Sequence, residues 1–510
     1  MRKFLKFITS RLVWTVLLIL IQLGFVFVTL NYVETRFSLT VFNSLLGLII
    51  SLLVFSRDDA VEYKISWILL IMILPVFGCS MYLIFGNKKK GIIQEKRMRA
   101  YHELTSRHMI DSFSKAVNAE DVLSPDDVRL SRYVSSLSDS RVFGGSTTKY
   151  YPLGDYCFPE MIKELNKAEK FIFLEYFIYQ DGFFWDTILD ILKKKVREGV
   201  EVFLMYDDMG CIGTLSMGYY KTLRRLGIKA VVFNPVRLRL NPKLNYRDHR
   251  KVCIIDGNVA VSGGINIADE YINRKIRFGH WKDNGFIMKG DGVWNYTFMF
   301  LQLWTYSAPK DYQVSDFSSY MPTISCENDG YIQSFGDSPL DDETVAENAY
   351  ISMINSAKRY VWISTPYLIL DSSMVNALTL AAGSGVDVRI VTPSVPDKKT
   401  VYSLTTANYR RLLAGGVRVF EYVPGFIHSK MFIRDDSTAI VGTTNMDYRS
   451  FFLHFESASI FYGGGTVGQV KADFLDIFEL CHEVTYKEFQ SRSLGMKLMA
   501  QLLKIAAPLL

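Results

Sequence analysis

Two stretches of the chain place groups capable of chemistry at the same spacing. "DHRKVCIIDGNVAVSGGIN" (residues 248 to 266) carries His249, Lys251, Asp256 and Asn266, and "FIHSKMFIRDDSTAIVGTTN" (residues 426 to 445) carries His428, Lys430, Asp435 and Asn445. The sequence has seven histidines, and these two alone have Lys at +2, Asp at +7 and Asn at +17. Coincidence accounts for that at roughly one percent or less. A lone histidine on a strand is more often a satisfied core residue; two matched copies are not. Both runs are otherwise apolar and read as buried strands, where an unpaired charge is costly. Within a strand, residues i and i+2 share a face, so each imidazole projects beside its ammonium.

The remaining members suggest how the groups are held. Asp256 and Asp435 fall in "DGN" and "DDS", tight turns that fold each strand back as a hairpin, which gives them a structural more than a chemical part. The returning strands run into "GGIN" and "GTTN", whose glycines allow close backbone approach, and Asn266 and Asn445 are expected where a helix begins, a position that favours phosphate. Facing copies would surround a phosphorus centre with donors. One histidine can attack phosphorus while the other, protonated, donates to the leaving alkoxide. The candidate catalytic set is therefore His249, Lys251, Asp256, His428, Lys430 and Asp435, with Asn266 and Asn445 on phosphate. The lysines supply fixed positive charge, so no metal or other cofactor is expected. Asp283 in "HWKDNGF" and Glu456 in "LHFESASIF" are expected to orient the histidine of their own lobe through its second ring nitrogen. A turn carboxylate is the plain alternative for Asp283, whereas Glu456 lies inside an apolar strand.

The elements around these residues repeat as well. "FIFLEYFIY" (171 to 179), "WDTILDILKKKVREG" (185 to 199) and "VEVFLMYDD" (200 to 208) read as strand, helix and strand, and "YVWISTPYLI", "SSMVNALTLAAGSG" and "VDVRIVTPS" repeat that order from residue 360. Strand, helix, strand predicts a right-handed crossover and parallel pairing. The expected fold class is α/β, with two similar lobes (residues 141–320 and 321–485) forming one pseudo-twofold catalytic unit. The tail, residues 486–510, has the pattern of an amphipathic helix.

With 49% hydrophobic residues and a net charge of +6, the 510-residue chain can bury several cores, and the charge alone does not argue for nucleic acid. No extended basic-aromatic groove is legible, so a nucleic-acid partner is not expected. The six cysteines show no paired spacing, against a disulfide scaffold or a zinc site. Uncharged runs of 22, 20 and 23 residues (12–33, 37–56 and 65–87) are each long enough to span a bilayer, so residues 1–87 are expected to form two or three transmembrane helices. Lys88, Lys89, Lys90, Lys96, Arg97, Arg99 and Arg107 follow directly and outweigh Arg2, Lys3, Lys6 and Arg11 at the amino terminus. This places the remaining chain on the cytoplasmic side of a cell membrane. Residues 88–140 read as a charged connector along that surface. The sequence leaves the oligomeric state open.

The paired His-x-Lys-x4-Asp motifs, with "WKDNGF", "PGFIHSKMFIRDD", "GTTNMDYRSF" and the segment "YKISWILLIMILPVFGCSMYLIFG", resemble bacterial cardiolipin synthases of the phospholipase D superfamily across nearly the whole chain. That resemblance implies phospholipase D-like lobes behind an amino-terminal transmembrane segment. It implies phosphatidyl transfer between two molecules of phosphatidylglycerol, an anionic membrane lipid, giving cardiolipin and glycerol through a phosphohistidine. His249 would be the nucleophile and His428 the acid and base, with the reverse open by near-symmetry. A phospholipase D or transphosphatidylase using water or another alcohol carries the same motifs.

Overall fold

The computed structural model describes residues 33–57, 60–86, 113–236, 246–340 and 343–491, with residues 20, 24, 503 and 504. The chain divides into two compact units, one of Met1–Ile92, Val236–Asn245 and Leu498–Leu510, the other of Ile93–Pro235 and Tyr246–Lys497.

In the first unit, helices Val33–Phe55, Val61–Ile73 and Pro75–Met81 are followed by a π-helical turn, Tyr82–Gly86. Ile50, Val54, Trp67, Ile71 and Tyr82 form a small core. Among the described residues no helix is long and apolar enough to cross a membrane. The third expected span, residues 65–87, is interrupted. Pro75 brings no N–H and disfavours helical geometry in the residue before it, and Leu74 sits at φ −130°, ψ 74°. The 13-residue helix before the break covers about 20 Å, short of the ~30 Å of hydrocarbon. The first expected span, residues 12–33, falls almost wholly outside the described residues, as do 87–112, the basic stretch 237–245 and the tail from 492, apart from 503 and 504.

The described part of the expected connector is a correction. Helix Pro125–Leu137 is capped by Ser124 and buries Leu130 and Val134 in the core of the second lobe. Asp127 lies 2.6 Å from Arg434 of that lobe. Its apolar residues recur at a helix period and its one buried acid has a buried partner, so residues 113–140 belong to the folded body rather than to a charged surface strap. Helix Tyr486–Ser491 likewise packs Phe489 into that core.

The first lobe is built on β1(Ser146–Tyr151), β2(Phe171–Tyr176), β3(Glu201–Asp207), β4(Lys229–Phe233), β5(Arg247–Asp248), β6(Lys251–Ile255), β7(Val259–Gly263), β8(His280–Lys282) and β9(Gly285–Gly290). Seven of these form a sheet in the order β1-β9-β7-β6-β2-β3-β4. The β2-β3-β4 part is parallel, joined between β2 and β3 by helix Phe183–Arg197, as the apolar run and the amphipathic segment after it predict. β6, β7 and β9 are antiparallel, so each sheet is mixed. The second lobe repeats the plan with β10(Tyr331–Asp337), β11(Tyr360–Ser364), β12(Asp387–Pro393), β13(Arg418–Tyr422), β14(Gly425–Ile427), β15(Met431–Arg434), β16(Thr438–Gly442), β17(His454–Tyr462) and β18(Cys481–Val484). Its order is β10-β17-β16-β15-β11-β12-β13-β18, with β5 of the first lobe added beside β17.

Each lobe lends a helix to the other. Val293–Ser307, after β9, packs on β10, and Gly464–Glu479, after β17, packs on β1. Trp294, Phe298, Phe300 and Trp304 of one helix and Phe474 and Ile477 of the other enter one core with Phe173 of β2 and Trp362 of β11. The sheets therefore cannot hinge apart without exposing that shared core.

Asp256 and Asp435 take a task remote from chemistry. Both stand at φ 52° in the hairpin turns after β6 and β15, a left-handed conformation that aspartate tolerates. The Asp256 carboxylate accepts the backbone N–H groups of Glu169, Lys170 and Phe171 at 2.8, 2.8 and 2.9 Å. Asp435 accepts those of Lys358, Arg359 and Tyr360 at 2.7, 2.8 and 2.9 Å. Each ties its turn to the start of the adjacent strand, at the end of β6 or β15 away from the histidine. The five residues of β6 and four of β15 put the two ends about 13–16 Å apart, so neither aspartate belongs to the catalytic set. We expect Asp256→Ala or Asp435→Ala to destabilise the folded body by about 2–3 kcal/mol. This is read as a lowered melting temperature, with turnover per folded molecule close to wild type.

Candidate active site

The two histidines lie where the chain passes from one lobe to the other. β5 leaves the first lobe and pairs in parallel with β17 of the second, Arg247 opposite His454 and Asp248 opposite Phe455. The His249 N–H then donates to the Phe455 carbonyl at 2.9 Å, and the chain returns to its own sheet at Lys251. The second motif does the reciprocal. β14 pairs in parallel with β8, Phe426 opposite Trp281 and Ile427 opposite Lys282, and the His428 N–H donates to the Lys282 carbonyl at 2.7 Å. Neither histidine is inside a regular strand, as the apolar runs had suggested; each occupies the gap between a short strand in the opposite lobe and a long one in its own.

This exchange decides which carboxylate meets which imidazole. The residue after Phe455 is Glu456, and its Oε1 and Oε2 lie 2.9 and 3.0 Å from His249 Nδ1. The residue after Lys282 is Asp283, whose Oδ2 lies 2.6 Å from His428 Nδ1. The expected pairings were within each lobe; the structure crosses them. The reason is the backbone register: each histidine amide bonds to the carbonyl immediately before a carboxylate of the other lobe, so that carboxylate reaches the ring. Both acids are fully buried and further held, Glu456 by the Thr443 hydroxyl and Asp283 by the Asn284 N–H.

The lysines fold back on the same turns. Lys251 Nζ donates to the His249 carbonyl at 2.6 Å, and Lys430 Nζ to the His428 carbonyl, with His428 Nδ1 and Nε2 at 2.7 and 3.0 Å from Lys430 Nζ. Burial pushes Lys251 down to about 8 and Lys430 down to about 7, against the pull of Asp283 and Glu456. Burial also raises Asp283 to about 6, opposed by Lys430. Both histidines are held well below the usual imidazole range, by burial first and then by the lysines of both lobes. His249 feels Lys430 and His428, and His428 feels Lys251, so the groups of the two motifs act on one another within one site.

The two asparagines are treated unequally. Asn266 is committed to the scaffold: its Oδ1 accepts the Ile178 N–H at 3.1 Å and its Nδ2 donates to the Tyr271 hydroxyl at 2.8 Å. The Tyr271 ring packs 5.4 Å from that of His428. Asn445 Oδ1 is buried with no hydrogen-bond partner among the described residues. Neither is a helix cap. A 3-10 turn starts at Asp269, and the next helix, Tyr448–Phe452, is capped by Asp447.

Sequence reasoning missed the aromatic walls: Phe177 against His249 at 5.1 Å, and Trp281 and Phe426 against His428 at 5.6 and 5.8 Å. It also missed His454, whose Nδ1 lies 3.5 Å from Glu456 Oε1. The period of two in "HFE" was the available signal. Donor atoms of His249, His454 and Glu456 lie within 4.8 Å of one another. The adjoining Lys251 and Lys430 ammonium groups oppose a divalent cation there, and Glu456 is already engaged by the His249 ring, so this trio does not fit a metal centre.

Two measurements test this geometry. In a histidine-15N spectrum, Glu456→Gln is expected to perturb the Nδ1 signal of His249 while sparing His428, and Asp283→Asn to do the reverse. A doubly charged phosphate analogue raises the affinity of both lysines for protons. Binding is therefore expected to take up protons, more at pH 8 than at pH 6, as calorimetry in buffers of different ionisation enthalpy reads directly.

Comparison with known proteins gives this arrangement a family. Residues 161–278 and 350–478 match the family model described as cardiolipin synthase, PLD-like domain, and residues 45–87 match the model described as phospholipase D-nuclease N-terminal. The cardiolipin synthase of Geobacillus kaustophilus is 32% identical over 464 residues, covering 90% of this chain and 91% of that protein. That of Alkalihalophilus pseudofirmus is 33% identical over 484 residues, covering 93% and 94%. Among solved structures, phosphatidylserine synthase of Haemophilus influenzae shares the fold with a TM-score of 0.56 at 12% identity, over 76% of this chain and all of that one. The crossed, two-lobed site thus sits in a chain that belongs to the cardiolipin synthase family of the phospholipase D type.

Proposed function

We propose that the protein transfers a phosphatidyl group from one phosphatidylglycerol to the hydroxyl of another, releasing glycerol and forming cardiolipin. The observation that carries this reading is the crossed pairing, which holds two buried imidazoles, each backed by a carboxylate and a lysine, in one site. With Nδ1 held by a carboxylate on each ring, Nε2 is the nitrogen turned to chemistry, and that of His428 lies 3.0 Å from Lys430 Nζ. His249 Nε2 attacks phosphorus, the bond to the glycerol oxygen breaks, and His428 gives that oxygen its proton. The second lipid's hydroxyl then returns a proton to His428 and displaces His249 from phosphorus, so protons and bonds balance over the cycle. Lys251 and Lys430 neutralise the phosphoryl oxygens, and the side-chain NH2 of Asn445, rather than its unpartnered Oδ1, is the group that would donate to phosphate. Asn266 acts through Tyr271.

Low imidazole basicity suits the nucleophile, which must be neutral. The acid must hold a proton, and a bound phosphate supplies the negative charge that lets His428 do so. Membrane attachment by the amino-terminal unit fits the side chains it leaves exposed, among them Phe42, Leu45, Leu48, Ile49, Leu52 and Leu53. A site at the lipid surface meets a second lipid hydroxyl at high local concentration, which favours transfer over hydrolysis. The same proposal puts the lobes on the cytoplasmic side of that membrane.

Full-length protein in phosphatidylglycerol vesicles is expected to yield cardiolipin and free glycerol. Phosphatidic acid in their place would identify a phospholipase D that uses water. His249→Ala and His428→Ala are each expected to lower turnover by about a thousandfold or more. With a donor whose leaving group needs no proton, such as a p-nitrophenyl phosphodiester, His428→Ala is expected to accumulate an alkali-stable, acid-labile phosphohistidine on the peptide containing His249.

A further inference from the structure

The two halves of the site are alike in backbone and differ in one ring. In the β5–β17 pairing the residue two before the carboxylate is His454, and in the β14–β8 pairing it is Trp281. They stand in matching places. The His454 ring lies 5.3 Å from that of His249 at an interplanar angle of 44°, and the Trp281 ring 5.6 Å from that of His428 at 44°. Their chemistry differs. Indole packs and does not titrate, whereas His454 brings Nδ1 to 3.5 Å from Glu456 Oε1, the oxygen that also lies 2.9 Å from His249 Nδ1. A small rotation closes that contact to a hydrogen bond.

We propose that His454 is a positioning residue: it shares Glu456 with His249, keeping the His249 ring oriented and unprotonated, while Trp281 leaves Asp283 Oδ2 to His428. A carboxylate that also accepts from the neutral His454 ring has less negative charge to offer His249, so a proton on His249 is disfavoured by whatever His454 draws from Glu456. His454 is buried, faced by Glu456 on its own strand, His249 and Arg247 from the β5 crossing, and Arg449 from helix Tyr448–Phe452. His249 additionally meets Lys251, Lys430, His428 and Asp283. Burial, helped by His249 and Arg449 and opposed by Glu456, holds His454 down to about 4, so near neutral pH it acts as an uncharged donor. The two halves are thereby made unequal, one suited to a neutral nucleophile and the other to a proton carrier. This inference rests on the transfer mechanism proposed above.

The test is the protonation midpoint of His249, read by histidine-15N resonances of the full chain in lipid nanodiscs, beside the acid limb of turnover. His454→Trp, which copies the other half, is expected to raise the midpoint about tenfold in proton affinity and to move the acid limb toward neutrality. His454→Asn, whose amide still donates to Glu456, is expected to stay near wild type in both. A midpoint in His454→Trp equal to wild type, or one in His454→Asn that moves as far as in His454→Trp, overturns the proposal. Should His454→Trp not fold, Trp281→His serves instead. There His428, faced by Lys430, Lys251, Asp397, Lys398 and Asp283, is expected to become harder to protonate by a similar factor, and an unchanged His428 midpoint overturns the proposal. Because the resonances are read without turnover, a wild-type protein that makes no cardiolipin would refute the proposed function while leaving this test intact.

Discussion

Two imidazoles and two ammonium groups are taken out of water in one place, and the cost of that burial shapes everything around them. The offset comes from Glu456 and Asp283, each fully buried and each delivered from the lobe opposite its histidine. Delivery depends on backbone pairing two or three residues long, β5 on β17 and β14 on β8, fixed in turn by the core that the two lobes share. Lys282, beside Asp283, is itself held at 2.7 Å by Asp473 of the second lobe's helix, so the crossing is clamped by side chains as well as by backbone. Rigid positioning, low dielectric and paired charge are one constraint here.

The consequence for chemistry is a site charged only as far as its ligand allows. With Lys430 near 7 and Lys251 near 8, the site sheds positive charge as pH rises through this range, and a bound phosphate would restore it. The phosphoryl group then meets donors already in place, which is where electrostatic stabilisation is most effective. The aromatic rings of Phe177, Trp281 and Phe426 restrict water around the same groups, consistent with transfer to a lipid hydroxyl.

Much of this was legible in residue spacing. The doubled His-x-Lys element, the repeated strand and helix words and the hairpin turns are local patterns, and local patterns set β6–β7 and β15–β16 directly. What the spacing could not carry was long-range. Crossed pairing depends on which carbonyl His249 bonds 206 residues away at Phe455, and a motif read within one lobe assigns its carboxylate to that lobe. Asn266 resembled Asn445 in position, yet Tyr271 and Ile178 occupy its amide, a fact visible only in three dimensions. Hydropathy over residues 65–87 ignored what Pro75 does to the helix ladder, and the charge of residues 113–140 concealed the apolar stripe of Leu130 and Val134. His454 lay in plain view, but a histidine two residues from an acid has no meaning until its ring is seen against another.

Strand exchange at the seam also bears on ancestry and on engineering. A polypeptide holding a single lobe has its imidazole on one surface and the acid that must steady it on another, facing the wrong way for self-sufficiency. Such a half would gain a working centre only by dimerising with its twin, with identical residues on both sides of the axis. Joining two copies head to tail lifts that identity requirement, and the replacement of Arg250 by Ser429 and of Trp281 by His454 between corresponding places shows the freedom being used. Severing the chain between the lobes is therefore a test of complementation rather than of domain independence: neither fragment alone encloses a complete centre.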